Sequence, residues 1–409
     1  MIDTNTTIIE KVYVIEPYLT VFSQENLDEI IALVESAGAI YSAHKTQHVR
    51  EITPATYIGK GKLEEIKREI QDSDINLVVF DGELSPSQTL NIAEILGVKV
   101  IDRTTLILDI FALNATSSEG KVQVELAQLK YMYPRLKGKG IGLSQQGAGI
   151  GTRGPGETQL ETDRRHIRQR INFLEEQLDD LTRRRNIQRE RRKKNLVKTV
   201  ALVGYTNTGK STLLNKLTGS DVLTKNQLFA TLDPTIRKMQ LDDIEICVID
   251  TVGFVKNIPH NLIEAFKSTL ETALDADLVL NVCDATGDYK TQIETTTKTL
   301  KELDENVKSI LVVNKCDGIT DFTPFPTDAI FISALTGLNV DKLKSFINDY
   351  FKNSFKELTF TISYKNLNEF MKYKNLIKLK NIEYLDTGVL ICATIPDTVY
   401  PKIKCLIEV

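Results

Sequence analysis

The sequence predicts an α/β protein in four stretches. A small α/β domain covers 1–103, a long helical hairpin 104–195, a parallel-sheet domain with a phosphate-binding loop 196–353, and a small α+β unit 354–409. Three observations predict it. The apolar run Thr199-Val-Ala-Leu-Val203 leads straight into Gly204-Tyr-Thr-Asn-Thr-Gly209-Lys210-Ser211, after which Thr212–Leu217 opens a helix; a buried strand therefore turns through G-x-x-x-x-G-K-S into a helix. Leu160, Ile167, Ile171, Leu174, Leu178 and Leu181 recur at helical spacing and mark one apolar seam on one long helix. Before residue 104, short apolar runs alternate with helical stretches, the pattern of a small parallel sheet.

In the first domain strands are expected at Val12–Ile15, Gly38–Ser42, Leu77–Phe80 and Val98–Asp102, with helices at 25–37, 61–71 and 86–96. Ser85-Pro86 is a cap followed by a first-turn proline. Gly59-Lys60-Gly61-Lys62 opens a helix and reads as a plain basic turn, with contact to a phosphate the alternative. A partner seam of Val122, Leu126, Leu129 and Tyr133 precedes the long one, so the two helices are expected as an antiparallel hairpin. Their connection, Gly138–Gly156, holds eight of the chain's 22 glycines. Arg135, Lys137, Lys139 and Arg153 add positive charge, and no acid intervenes before Glu157. A loop this long is either a linker or a probe. Bare backbone with cations at the tip of a stiff hairpin favours a probe for irregular RNA. The scarcity of aromatic residues points to structured RNA rather than single strands. The basic run Arg183–Lys194, with Glu190 its one acid, is either a solvated helix end or an extension of that surface. In the last unit Thr359–Tyr364 alternates as a strand, and Ile377–Tyr384 pairs with Gly388–Ile395 across Asp386-Thr387-Gly388 as a hairpin.

The chemistry concentrates in 196–353. Gly204, Tyr205, Thr206, Asn207, Thr208, Gly209, Lys210 and Ser211 form the phosphate loop. Its glycines let backbone N–H groups turn inward around a phosphate. Lys210 supplies a point charge and the Ser211 hydroxyl a ligand for magnesium. Asp250-Thr251-Val252-Gly253 ends the strand Ile246–Ile249, placing a carboxylate to hold magnesium through water and a glycine N–H to sense the γ-phosphate. Asn314-Lys315-Cys316-Asp317 ends the strand Ile310–Val313. Asp317 can accept from the N1–H and exocyclic amine of guanine, and adenine would leave it unpaired. Asn314 is expected to brace the loop, Lys315 to lie over the base, and Ser333-Ala334-Leu335 to form a second base-contacting loop. In this order and spacing the motifs define a Ras-like P-loop GTPase domain whose ligands are GTP or GDP and Mg2+. Phe229-Ala230-Thr231-Leu232-Asp233-Pro234-Thr235 is the switch segment, and Thr231 and Thr235 both qualify by chemistry to complete the magnesium shell. Phe254 follows Gly253 where Ras-like enzymes place a water-orienting glutamine. An apolar ring cannot do this, so slow intrinsic hydrolysis, raised by a partner, is expected; Asn207, Thr208 and His260 are polar candidates that could substitute.

Composition fits such a protein. The 409 residues carry 42% apolar content and 51 basic against 55 acidic side chains, a net charge of −4 that hides the basic hairpin. Cysteines 247, 283, 316, 392 and 405 are scattered without a C-x-x-C pair, as reduced structural thiols are. The N-terminus lacks the basic-then-apolar pattern of a signal peptide, and no apolar stretch is long enough for a transmembrane segment. The expectation is a monomer in the cytoplasm, free or peripherally membrane-associated, without DNA as a partner.

Several segments together resemble the HflX family of GTPases: Tyr57–Lys62, Leu84–Gln88, Asp102–Phe111, Gly154–Arg165, the phosphate loop, Phe229–Thr235 and Asp250–Phe254. The resemblance spans about residues 10 to 350. It favours Thr231 as the switch threonine, and Phe254 fits it. It departs at Thr208, where alanine is common, and at Cys316, where an aliphatic residue is usual. It implies binding to the large ribosomal subunit and its rRNA through the 138–156 loop and basic hairpin, splitting of stalled ribosomes under stress, and release on GTP hydrolysis. A ribosome-assembly GTPase acting on immature large subunits is the alternative.

Overall fold

The strand β1 (Lys11–Tyr18) is central because Val12–Ile15 are all buried. It lies in a four-stranded sheet with β2 (Ile40–His48), β3 (Leu77–Phe80) and β4 (Lys99–Asp102), in the order β2-β1-β3-β4 with every pair parallel. All four residues of β3 are buried, as a parallel strand covered on both faces requires. The helices are α1 (Gln24–Ser36), α2 (Lys60–Gln71) and α3 (Pro86–Leu96). In α3 Ser85 and Gln88 form a reciprocal capping box, Pro86 starts the first turn and Gly97 closes the helix at φ 76°. The second strand starts at Ile40 rather than at the expected Gly38, because Gly38 has φ 80° and serves as a turn after α1.

This computed structural model describes residues 9–138, 155–194, 197–219, 228–229, 233–241, 245–256, 273–305, 307–323, 325–352, 355–397 and 399–407. Most of the glycine-rich stretch 138–156, and Ala230, Thr231 and Leu232, lie outside them. By contacts the chain divides into two units, Met1–Leu181 with Lys225–Asp233 and Val252–Leu270, and Thr182–Thr224 with Pro234–Thr251 and Glu271–Val409.

In the first unit Asp102 caps α4 (Arg103–Asn114), its carboxylate accepting from the Thr105 N–H at 2.9 Å. This helix is apolar on nearly every side and correspondingly buried. Ser117 caps α5 (Ser118–Met132), which is followed by α6 (Pro155–Lys194), whose residues from Thr182 onward group with the second unit. Ion pairs join α5 to α6 at Glu125–Arg170 (2.7 Å) and Lys130–Glu175 (2.7 Å). Along the described seam of α6 the apolar residues are shielded, and Leu174 is fully buried. The helix α5 has a second buried face that the seam does not predict: Gln123, Val124, Ala127 and Tyr131.

The second unit holds six strands in the order β10-β9-β8-β5-β7-β6. They are β5 (Lys198–Gly204), β6 (Thr235–Gln240), β7 (Glu245–Asp250), β8 (Leu278–Asp284), β9 (Ser309–Asn314) and β10 (Ile330–Phe331), and only β6 runs antiparallel. Helix α7 (Lys210–Thr218) buries Leu213, Leu214 and Leu217 with Val200, Leu202 and Val248 of the sheet. A separate antiparallel sheet closes the chain, with β11 (Phe355–Ser363), β12 (Lys378–Leu385) and β13 (Gly388–Pro396) in the order β11-β13-β12. The register Leu385↔Gly388 leaves Asp386-Thr387 as the hairpin loop.

Candidate nucleotide site and the switch segments

The phosphate loop joins β5 to α7. Gly204 sits at φ 149° and Gly209 at φ 87°; a Cβ would collide with the Val282 carbonyl at the first and the Asn314 amide at the second. Only glycine fits either position. Lys210 is buried, and its Nζ donates to the carbonyls of Tyr205 (2.7 Å) and Gly204 (3.2 Å). Burial pushes this ammonium down to about 8, with the Asp250 charge pulling the other way. A buried cation whose partners among the described residues are neutral carbonyls, inside a cradle of glycines, suits an incoming phosphate. The Thr206 hydroxyl is also buried there with no partner among the described residues.

The Ser211 hydroxyl donates to Asp250 Oδ2 at 2.6 Å, which brings two of the three expected magnesium ligands together. Their oxygen chemistry suits Mg2+, which when bound neutralises phosphate charge. Thr231, the third, falls outside the described residues. Thr208 is fully buried, and its hydroxyl donates to the Tyr205 carbonyl at 3.0 Å. Asn207 is exposed at φ 58°.

Asn314 ties three loops. Its Nδ2 donates to the Thr208 carbonyl (2.7 Å) and its Oδ1 accepts from the Ala334 N–H (2.9 Å). Lys315 takes φ 60° and pairs with Asp284 at 2.6 Å. The buried Cys316 donates its N–H to the Ile332 carbonyl at 3.1 Å, which leaves Asp317 exposed on the turn. Burial, then the neighbouring Asp317, pushes the Cys316 thiol above its ordinary value. Ser333 is buried, whereas Leu335 is 79% exposed. All five cysteines are free thiols.

The switch segments follow other neighbours. Phe229, at φ 57°, sets its ring edge-on to Phe111 (4.6 Å between centroids), and its carbonyl accepts from Asn114 Nδ2 at 3.1 Å. Asp233 accepts from the Thr116 N–H (2.9 Å) and hydroxyl (2.8 Å), the Ser117 N–H (2.6 Å) and the Ser117 hydroxyl. Burial pushes the Asp233 carboxyl up, and the bonds from Ser117 and Thr116 more than reverse this, leaving it below its ordinary range. Gly120 has no room for a Cβ because Asp233 fills the space. Val252 and Gly253 are buried, as is Phe254, whose side chain has no polar atom to offer a water. Beyond them the Lys256 carbonyl accepts from Arg103 at 3.1 Å, and Lys256 Nζ donates to Asn26 at 3.0 Å. The motifs point to neither Asn114 nor Ser117, whose partners lie more than a hundred positions away.

Three family models match the chain: "GTP-binding GTPase N-terminal" over 24–112, "GTP-binding GTPase Middle Region" over 114–192 and "50S ribosome-binding GTPase" over 199–315. The GTPase HflX of Caldanaerobacter subterraneus subsp. tengcongensis is 50% identical over 338 residues, 82% of this chain and 78% of that protein. The chain belongs to the HflX family of GTPases. The HflX protein of Lacrimispora saccharolytica is 43% identical across 92% of this chain and 91% of its own, and that of Escherichia coli 43% across 78% and 77%. A GTP-binding protein of Sulfolobus solfataricus, solved with GDP, shares 28% identity over 83% of this chain and 98% of its own, with a TM-score of 0.46. As an HflX GTPase the protein is a GTP hydrolase, with GTP and GDP as its nucleotides and Mg2+ as the usual companion ion. Among the described residues no helix is long and apolar enough to cross a membrane.

Proposed function

We propose that this HflX GTPase binds the large ribosomal subunit and separates stalled ribosomes into subunits, with GTP hydrolysis releasing it. The observation that carries the reading is the match of 199–315 to a family of 50S ribosome-binding GTPases, joined to a middle region that ends in a basic helix. In this reading Lys210 and the phosphate loop hold the phosphates, and Ser211, Thr231 and Asp250 hold magnesium. Gly253 senses the γ-phosphate, while Asp317, with Asn314 and the Ser333–Leu335 loop, selects guanine. Phe254 leaves hydrolysis slow until a ribosomal surface orders the water. The 138–156 loop contacts rRNA. Nucleotide drives splitting only if the GTP form prefers the separated subunit to the intact ribosome.

Sedimentation of intact ribosomes with the protein and GTP, a non-hydrolysable analogue or GDP tests this. The analogue is expected to leave the protein on free large subunits, and GTP to split ribosomes catalytically. Ribosomes intact in all three arms overturn the reading, and preference for immature subunits replaces splitting with assembly. A neutral linker in place of 138–156 is expected to spare GTP binding and abolish splitting.

A further inference from the structure

The order β2-β1-β3-β4 means that the chain leaves β1 in one direction and returns on its other side. Such a reversal opens a crevice beyond the carboxyl ends of β1 and β3, where open α/β sheets hold ligands. A cavity of about 480 Å³ lies there, large enough for a small molecule. Glu16, near the end of β1, lines it; the residue is 2% exposed and its Oε2 has no hydrogen-bond partner among the described residues. Asp81 and Glu83 line it from the end of β3, and Tyr18 and Tyr57 add aromatic wall. Tyr57 is fixed at φ 63° with its ring edge-on to Phe80 at 5.0 Å.

The charge of this wall selects its ligand. Among the described lining residues Arg103 is the only cation, and it is committed to Asp81 at 2.7 Å and to Glu29. Burial, and then the Asp81 charge, raises the Glu16 carboxyl to about 7, against the pull of Arg103. A phosphate or carboxylate would meet Glu16, Asp81 and Glu83 together. A bare metal ion finds no group of three or more His, Cys, Asp or Glu side chains placed to hold it among the described residues. Unpaired acid beside tyrosine rings suits an ammonium on an apolar stem.

We propose that this crevice binds a small organic cation of the alkyl diamine or polyamine class, its ammonium paired with Glu16 and its stem against Tyr18 and Tyr57. Arg103 also donates to the Lys256 carbonyl beyond Gly253, so one guanidinium belongs both to the cavity wall and to a switch segment.

The test is calorimetric titration of spermidine into the full chain at about 0.3 M salt, which screens loose surface attraction. Saturable one-to-one binding is expected, undisplaced by Mg2+ at about 10 mM, since a hydrated dication shares the charge without the stem. Glu16→Gln is expected to weaken it at least tenfold. Glu83→Lys, at an exposed position, sets a competing ammonium at the rim and is expected to abolish binding without disturbing buried groups. Binding of Nα-acetyl-lysine amide but neither spermidine nor putrescine would assign the site to a protein lysine and overturn the proposal. It is equally overturned by no saturable binding, by displacement with Mg2+, or by spermidine affinity unchanged in both variants.

Discussion

Glu16 shows how a single side chain can work against the fold that holds it. Its carboxyl rises from 4.5 to about 7 on folding, so between those values the folded chain keeps a proton that the unfolded chain has released. Stability therefore falls as pH rises from 4.5 to 7 and stays lower above it. The full effect is about 3 kcal/mol if the whole shift is realised. Glu16→Gln is expected to raise stability at pH 8 by about 1–3 kcal/mol and to change it little at pH 4; urea unfolding at both values measures this, and equal effects at the two would refute it. Asp81, Arg103 and Asp28 are the charges that act on the same carboxyl. Nothing in the pattern around Glu16 announces this, because the cavity forms from residues that only the sheet order brings together. The phosphate loop is legible for the opposite reason. Its donors are consecutive, and Asn314, which braces it through Thr208 and Ala334, lies in a contiguous motif of its own.

At the scale of elements, periodicity finds a helix with one apolar face more readily than one with two. In α6 the shielded positions Ile167, Ile171, Leu174, Leu178 and Leu181 follow the seam. In α5 the seam residue Leu126 is buried, but so is the face bearing Gln123, Val124, Ala127 and Tyr131, which meets other neighbours. Two apolar faces nearly cancel in the pattern, and α4, apolar on nearly every side, offers no period at all. The seam has an energetic consequence. Leu174 is fully buried while Phe173 beside it is 47% exposed. Leu174→Ala is therefore expected to cost about 2–4 kcal/mol by loss of buried surface and the cavity left behind, whereas Phe173→Ala costs about 0.5 kcal/mol or less. Hydrogen exchange of the α6 amides between 165 and 181 separates the two; equal loss of protection in both would show that the ion pairs to α5, rather than Leu174, hold the helix.

At the scale of the whole chain, the GTPase motifs are contiguous in sequence but divided in structure. Lys225–Asp233 and Val252–Leu270 group with the N-terminal unit, although the strands that bracket them belong to the other. Sequence order gives no hint of this, because the holding residues, Arg103, Asn114, Thr116 and Ser117, lie in the two stretches read as separate from the GTPase domain. The two segments are held separately: one through Phe229 and Asp233, the other through the Lys256 carbonyl on Arg103 and Lys256 Nζ on Asn26. A fragment of residues 196–409 keeps the phosphate loop and its core but loses all of these partners. Trypsin is expected to cut after Lys256 at least tenfold faster in the fragment than in the full chain, with GDP binding as the check that the loop is folded. In the full chain Asp233→Ala removes the acceptor of the Thr116 and Ser117 amides, a charged bond worth about 1–3 kcal/mol. Those amides should then exchange about ten to a hundred times faster while Lys256 stays protected. Were Lys256 to become cleavable as well, the two switch segments would release together. The N-terminal unit would then hold them as one latch, and a ligand acting on Arg103 would reach Asp233 too.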